Sequence, residues 1–281
     1  MSVKIIVDST ADVCSSVIPK LEIVPLTVYF GDTEYIDGVT IDHKTFYEKL
    51  IESDVLPTTS QATPAAFSEV FEKVAAAGDT AVVLTISAKL SGTYQSAVIA
   101  AEDYPGMVYV VDTRSAAIGA GILAELALQL AETGMDAPAI AKRMEQEREN
   151  ICIVALLDTL EYLKKGGRIS KAVAFAGGLL SIKPVISLED GEIKFLGKAR
   201  GSKMGNNLLV QEIEKAGGVD FEKPLLLGFT GLSDILLQKY VQDSKSLWET
   251  GTAALRFSPI GSVIGTHAGP GAIAVAFFKR K

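Results

Sequence analysis

Residues Thr80 to Ala97, TAVVLTISAKLSGTYQSA, limit the possible folds of this chain more than any other stretch. Thr80 to Ile86 is an apolar, β-branched run of strand length, and helical spacing resumes at Thr93, so the residues between form a strand-to-helix turn. That turn carries Ser87, Ser91, Gly92 and Thr93. At the C-terminal end of a strand, hydroxyls and the free N–H groups of a starting helix point into the crevice where α/β proteins bind ligands, and both suit an anion. Ser91 or Thr93 fits a helix N-cap equally well. Both readings are open at this stage.

The stretches around this unit repeat its alternation. Val3 to Val7 is a short strand, followed by Asp8, Ser9, Thr10 and Asp12 where a helix should begin, so these polar residues either cap it or line a site. Val24 to Phe30 reads as a second strand and His43 to Ser53 as a helix with Phe46, Tyr47, Leu50 and Ile51 on one stripe. LPTTSQATP, Leu56 to Pro64, is a loop of hydroxyl and amide groups pinned by two prolines, with Thr63 and Pro64 placed to cap and start a helix over Ala65 to Ala77. Met107 to Asp112 is a strand, Thr113 to Thr133 a buried apolar helix, and Asp136 to Asn150 an amphipathic one. This alternation predicts an α/β lobe with a mainly parallel sheet.

A second lobe opens at the strand Ile151 to Leu157. DTLEYLKKGGRIS is a short helix stopped by Gly166 and Gly167, and Arg168 immediately after them is placed either for phosphate or carboxylate recognition or as a solvated charge. Lys171 to Ile182 is apolar with small residues at its centre, which in a core means close packing and beside a cavity leaves room for a slender apolar ligand. Lys183 to Leu188 and Ile193 to Leu196 form a hairpin around Gly191, and KARGSK, Lys198 to Lys203, is a local basic cluster. Helices over Asn206 to Ala216 and Ser233 to Leu247 flank a strand at Leu225 to Phe229. Phe257 to Phe278 carries no formal charge, yet its four glycines and two prolines predict a strand, turn, strand unit with His267 in the turn rather than a membrane span.

Composition excludes several classes of function. A net charge of −7 argues against nucleic acid as the main partner. Cys14 and Cys152 belong to no metal or redox motif, a reduced and cytosolic profile, and the start MSVKIIVDSTAD lacks the layout of a signal peptide. No P-loop or GxGxxG loop is present.

With LPTTSQ, SAKLSGTYQSA, DTLEYLKKGGRIS, IKPVISLEDGEI and IGTHAGPG in that order, the chain resembles the DegV family from VDSTAD at Asp8 to HAGPG at Gly271. The resemblance implies a two-lobed α/β fold over residues 2–280, with an N-terminal lobe to about residue 150 holding the mainly parallel sheet and a C-terminal lobe from about 151 holding a mixed sheet. It also implies one bound long-chain fatty acid and no cofactor or metal. The best understood members, FakB-like subunits of bacterial fatty acid kinase, are not themselves enzymes. They hold the acyl chain while a separate kinase phosphorylates the carboxylate to an acyl phosphate for phospholipid synthesis, in the cytoplasm and with at most transient membrane contact.

Carried over by residue, the resemblance puts the carboxylate on Thr59 and Ser91 with His267 close by, and Ser60, Gly92 and Thr93 as neighbours. Arg168 and Arg200 then face the head group or the kinase. Two departures stand out: Ala62 follows SQ where the pattern has proline, and Met204 follows Lys203 where a second lysine is common, which weakens the case for kinase docking more than for lipid binding.

The chemistry is consistent with such a ligand. Burying a methylene gains about 0.8 kcal/mol, so a chain of roughly sixteen carbons offers on the order of 12 kcal/mol before ordering costs. The carboxylate needs converging donors, because burying it unpaired costs several kcal/mol. A rival reading is a serine hydrolase with Ser91 as nucleophile, Asp112 as orienter and His267 as base. That reading lacks the GxSxG elbow, since Lys89 and Thr93 occupy the glycine positions.

Overall fold

The computed structural model describes residues 2–169, 182–249, 251 and 255–280. The first part of the chain forms β1 (Val3–Asp8), β2 (Glu22–Val24), β3 (Thr27–Phe30), β4 (Thr33–Ile36), α1 (His43–Glu52), β5 (Thr58–Ser60) and α2 (Pro64–Ala76). It continues through β6 (Thr80–Thr85), α3 (Thr93–Ala101), β7 (Val108–Asp112), α4 (Ala117–Glu132) and α5 (Ala137–Glu147). Then come β8 (Ile151–Leu156), α6 (Glu161–Lys165), β9 (Ile182–Glu189), β10 (Glu192–Arg200), α7 (Gly201–Lys215) and β11 (Leu226–Phe229). The last elements are α8 (Ile235–Asp243), α9 (Lys245–Trp248), β12 (Phe257–Pro259), α10 (Ser262–Ala268) and β13 (Ile273–Phe278).

Three sheets result. The first, β2-β1-β6-β7, is wholly parallel, with Val3 opposite Thr80 and Ala81 opposite Val108. The second, β10-β9-β8-β13-β11-β12, is mixed: every neighbouring pair is antiparallel except β11 with β12. These two match the predicted parallel and mixed sheets. A third, small antiparallel sheet, β4-β3-β5, was not anticipated.

Helix α4 lies between the two large sheets, touching β1 and β6 on one side and β8, β11 and β13 on the other. That position explains its sequence. A helix covered on both faces has no use for a polar stripe, and Ala117 through Ala124 are all buried. One cluster consequently joins Val7, Val82 and Leu84 of the parallel sheet to Ile118 and Ile122 of α4 and to Ile153, Ala274 and Phe278 of the mixed sheet. Among the described residues, no helix is long and apolar enough to cross a membrane.

Several expectations need correction. The run Val24 to Phe30 is two strands, because Pro25 has no N–H to donate and breaks the ladder; β2 stays in the parallel sheet while β3 leaves it. No α-helix follows β1. The chain there makes only a 3-10 turn at Ile18–Lys20, and Asp8 accepts hydrogen bonds from the Thr10 N–H and hydroxyl (3.0 and 2.5 Å) and from the Ile86 N–H at 2.6 Å. Thr113 to Ala116 precede α4 as irregular chain. The helix expected from Asn206 starts earlier, at Gly201.

The helix expected over Ser233 to Leu247 breaks at Ser244, whose hydroxyl donates to the Tyr240 carbonyl at 2.6 Å. The unit Phe257 to Phe278 is strand, helix, strand. Its glycines read as turn signals, but Gly265 is helical and packs where a Cβ would meet Phe46 and Tyr47. The expectation for Lys171 to Ile182 falls outside the described residues, apart from Ile182 itself.

Candidate functional site

A cavity of about 330 Å³ lies between the two large sheets. Its walls are mostly aliphatic: Ile86 and Leu90 from the β6–α3 turn, Ala155 and Leu157 from β8 and its end, Ile186 from β9, and Val263 and Ile264 from α10. Polar groups gather at one end, where Thr59, Ser60, Gln61, Ser91, Gly92, Arg168 and His267 line it. Volume and lining of this kind characterise small-molecule sites, in which a few polar groups orient a largely apolar ligand.

Thr59 reaches the cavity from β5, which pairs with β3 through Val28 opposite Thr59. The loop LPTTSQATP is therefore partly a strand, with Thr63 capping α2 through the Ala66 N–H (3.2 Å) and Pro64 in its first turn, as its sequence predicts. The Thr59 hydroxyl is 3.0 Å from His267 Nε2. His267 sits in the last turn of α10 rather than in an open turn.

Burial, and then the nearby Arg168 charge, push the His267 pKa down to about 4, so the imidazole is neutral at physiological pH. Its Nδ1 has no hydrogen-bond partner among the described residues. Gly166 packs against it so closely that a Cβ there would stand 2.2 Å from Nδ1.

Gly166 belongs to the helix stop read from the sequence. Arg168 N–H donates to Leu163 O at 3.1 Å and Gly167 N–H to Lys164 O at 3.1 Å, a Schellman arrangement with Gly167 at φ +71°. This turn aims Arg168 back across the cavity mouth. Its guanidinium donates to Gly166 O at 2.6 Å and to Leu90 O at 3.3 Å, bridging the α6 turn to the turn that holds Ser91.

Neither Ser91 nor Thr93 caps α3: Gly92 is the N-cap, with no side-chain cap bond. The Ser91 hydroxyl accepts from the Thr93 N–H at 3.3 Å, a local turn contact, and Ser91 lines the cavity. Ser91 Oγ pairs with Thr93 Oγ1 at 2.9 Å. Thr93 itself is fully buried behind the wall and accepts from the Ala62 N–H at 3.4 Å.

Ser60 and Gly92 line the mouth, while Arg200 is exposed at the end of β10, away from the cavity lining. Asp8, Thr10 and Asp12 neither cap a helix nor line the cavity. Asp12 Oδ1 accepts from the Gly261 N–H at 2.8 Å and Asp37 from the Ser262 hydroxyl, so buried carboxylates hold the start of α10 and, through it, His267.

The hydrolase constellation is not assembled. Asp112 Oδ1 accepts from the Ala88 and Arg114 N–H groups at 3.2 and 2.9 Å and lies outside the cavity lining, and His267 Nε2 pairs with Thr59 rather than Ser91.

Gln61 is a site residue that the sequence reading passed over. Its side chain crosses Gly92, where a Cβ would stand 2.0 Å from Oε1, and its Nε2 donates to Ser96 Oγ at 2.9 Å. Gly92 has ordinary φ and ψ of −71° and 1°, so the close approach of Gln61, and not the backbone, explains the absence of a side chain. The signal available in sequence is the glycine itself, placed just before the helical spacing resumes at Thr93.

Comparison with known proteins agrees with this architecture. The DegV family model, described as an uncharacterised protein of that family, matches residues 2–280. A DegV domain-containing protein of Caldanaerobacter subterraneus is 34% identical over 99% of each chain. The structure of a DegV family protein from Thermus thermophilus, described for its fatty acid binding, superposes with a TM-score of 0.87 at 31% identity over 99% of this chain and 100% of that one. The Streptococcus pneumoniae fatty acid kinase B3 protein, loaded with linoleic acid, superposes with a TM-score of 0.85 at 25% identity over the whole of both chains. With the family model spanning almost every residue and the fold matching end to end, the chain belongs to the DegV family.

Proposed function

We propose that this protein binds one long-chain fatty acid, with the acyl chain in the cavity between the sheets and the carboxylate at its polar end, and presents that carboxylate to a separate kinase. One observation carries the reading: an aliphatic cavity ends in the Thr59–His267 pair with Ser91 and Arg168 beside it. The fatty acid in the Thermus and Streptococcus relatives supports the ligand class, and the kinase named with the Streptococcus protein supports the partner. In this reading the protein is a carrier acting in the cytoplasm, and catalysis belongs to the kinase.

The carboxylate meets hydroxyls from Thr59 and Ser91, a neutral imidazole, and one formal positive charge on Arg168. Neutral donors orient the anion without holding it in a tight ion pair, which leaves an oxygen able to attack a phosphoryl group. Ser60 and Gly92 shape the mouth, Thr93 supports it from behind through its hydrogen bond with Ser91, and Arg200, exposed beyond it, suits a docking surface better than the head group.

The test is mass spectrometry of the purified protein, native and then denaturing, with the released molecule identified, alongside the double variant Thr59→Ala, Ser91→Ala. Hydrogen bonds to a charged acceptor are worth about 1.5–3 kcal/mol each, so the double variant should lose retained acid by a hundredfold or more in affinity while melting as the wild type does. A protein that carries no fatty acid and takes up none when it is offered refutes the carrier; unchanged retention in the variant refutes the head-group site alone.

A further inference from the structure

Strands β8 and β9 pair only over Val154–Ser187, Ala155–Ile186 and Leu156–Val185, although β8 begins at Ile151 and β9 runs on to Glu189. Beyond Val154 and Ser187 the two strands diverge, and a second cavity of about 590 Å³ occupies the fork. Its lining mixes charged side chains, among them Arg148, Glu149, Glu189, Glu212 and Lys215, with apolar ones such as Ile151, Cys152, Val154 and Leu196. Ile153, Ser187 and Leu188 line both cavities, so they form the partition between them.

The register places that partition at the end opposite the head group. Side chains alternate between faces along a strand, so Leu157, Ala155 and Ile153 follow one another on the cavity face. Leu157 lies at the end closed by Leu163, Ala268 and His267, and Ile153 is four residues back, about 13 Å along the strand.

Between these ends the floor is made of small groups, Ala155 and Ala274 with Ala272 nearby, and it then meets Ile153 and Leu188. Ile153 is fixed by burial against α4, with its Cβ near Gly119. The tip of the β9–β10 hairpin after Leu188 is anchored where Ser87 Oγ donates to Gly191 O at 2.7 Å.

We propose that Ile153 and Leu188 set the acyl-chain length this protein accepts, acting as an apolar stop between the acyl cavity and the charged fork. This inference rests on the carrier reading. A terminal methyl group reaching the stop gains nothing further, because Ile153 and Leu188 block its way and the space behind them holds the ion pairs Arg148–Glu149 and Glu212–Lys215. Each methylene buried before the stop raises affinity about fourfold, and each one beyond it adds nothing.

The experiment is competition binding of saturated straight-chain acids differing by two carbons, measured on wild type, Leu188→Ala and Leu188→Phe, with thermal melting as a folding control. Leu188 is half-buried, so both variants are expected to fold. Wild type should show affinity rising with length to a plateau. Leu188→Ala should extend the rise by about two carbons, a gain of roughly fifteenfold for the first acid past the wild-type limit. Leu188→Phe should bring the plateau earlier; if it does not fold, Ile153→Val supplies a second enlargement.

Plateaus that coincide in all binding-competent proteins overturn the stop and leave the carrier intact. A wild type that binds none of the acids overturns both.

Discussion

Substituting Gly92 by alanine separates the stability of the fold from the order of the proposed head-group site. Its backbone at φ −71° and ψ 1° accepts alanine without strain, and removing a glycine from the unfolded chain gains about 0.4–1 kcal/mol. The added Cβ would stand 2.0 Å from Gln61 Oε1 and 2.8 Å from its Cδ, so the amide must swing away. Gln61 is exposed and can turn into water, which leaves the lost Nε2 to Ser96 Oγ bond, about 1 kcal/mol, as the principal cost. Gain and loss nearly cancel, and the melting temperature should hardly move.

Binding should respond differently. Gln61 ties the strand carrying Thr59 to the helix that begins beside Ser91, and without it the Ala62 to Thr93 bond at 3.4 Å is a weak remaining link. Loosening one hydrogen bond to a carboxylate costs about 1.5–3 kcal/mol, roughly a ten- to hundredfold loss of fatty-acid affinity. Equilibrium competition binding, with thermal unfolding run in parallel, measures both quantities. Gln61→Ala should reproduce the loss, and the double variant should lose no more than either single one. Wild-type affinity in Gly92→Ala, or a loss that adds fully to that of Gln61→Ala, would refute the tie.

Two further outcomes follow from His267. In Gly166→Ala the new methyl would displace the imidazole from 2.2 Å at Nδ1, and fatty-acid affinity should fall about tenfold while helix α6, whose cap at φ −72° tolerates alanine, persists; binding and circular dichroism decide it. Because the His267 pKa in the fold is about 4, below the unfolded value near 6.5, its contribution to stability is complete above pH 6.5 and is lost as pH falls toward 4, by about 3 kcal/mol. Buried Asp8, Asp12 and Asp37, with pKa values raised by burial, act in the opposite sense, so the comparison is wild type against His267→Gln. The difference in unfolding free energy between the two should change by that amount between pH 7 and pH 4, and parallel curves would refute the assignment.

The fold was legible where a segment's own pattern decides its structure. β6 is buried as its unbroken apolar run implies, α5 buries the face that its periodicity displays, and the GG stop after α6 closes as a Schellman turn because the chain there needs positive φ at Gly167. Reading failed where a neighbour decides. Gly265 reads as a turn and is helical, because its missing side chain admits Phe46 and Tyr47. Asp12 reads as a cap and instead reaches 249 positions along the chain to hold Gly261.

The site itself was legible as chemistry but not as geometry. Hydroxyls in TTSQ and KLSGT mark places where a carboxylate could be met, yet nothing local says that Thr59 and His267, 208 positions apart, share a hydrogen bond, or that Ser91 and Asp112 do not belong to one catalytic set. Those relations arise from α4. Packed between the two sheets, it fixes the separation of the parallel sheet, whose β6 end carries the Ser91 turn, from the mixed sheet, whose β13 is preceded by α10 and His267. The uniform apolarity of α4, which hides which face it presents, is the physical condition for a helix with two covered faces. The residue pattern that holds the two halves of the site at ligand distance is therefore the one least able to announce it in sequence.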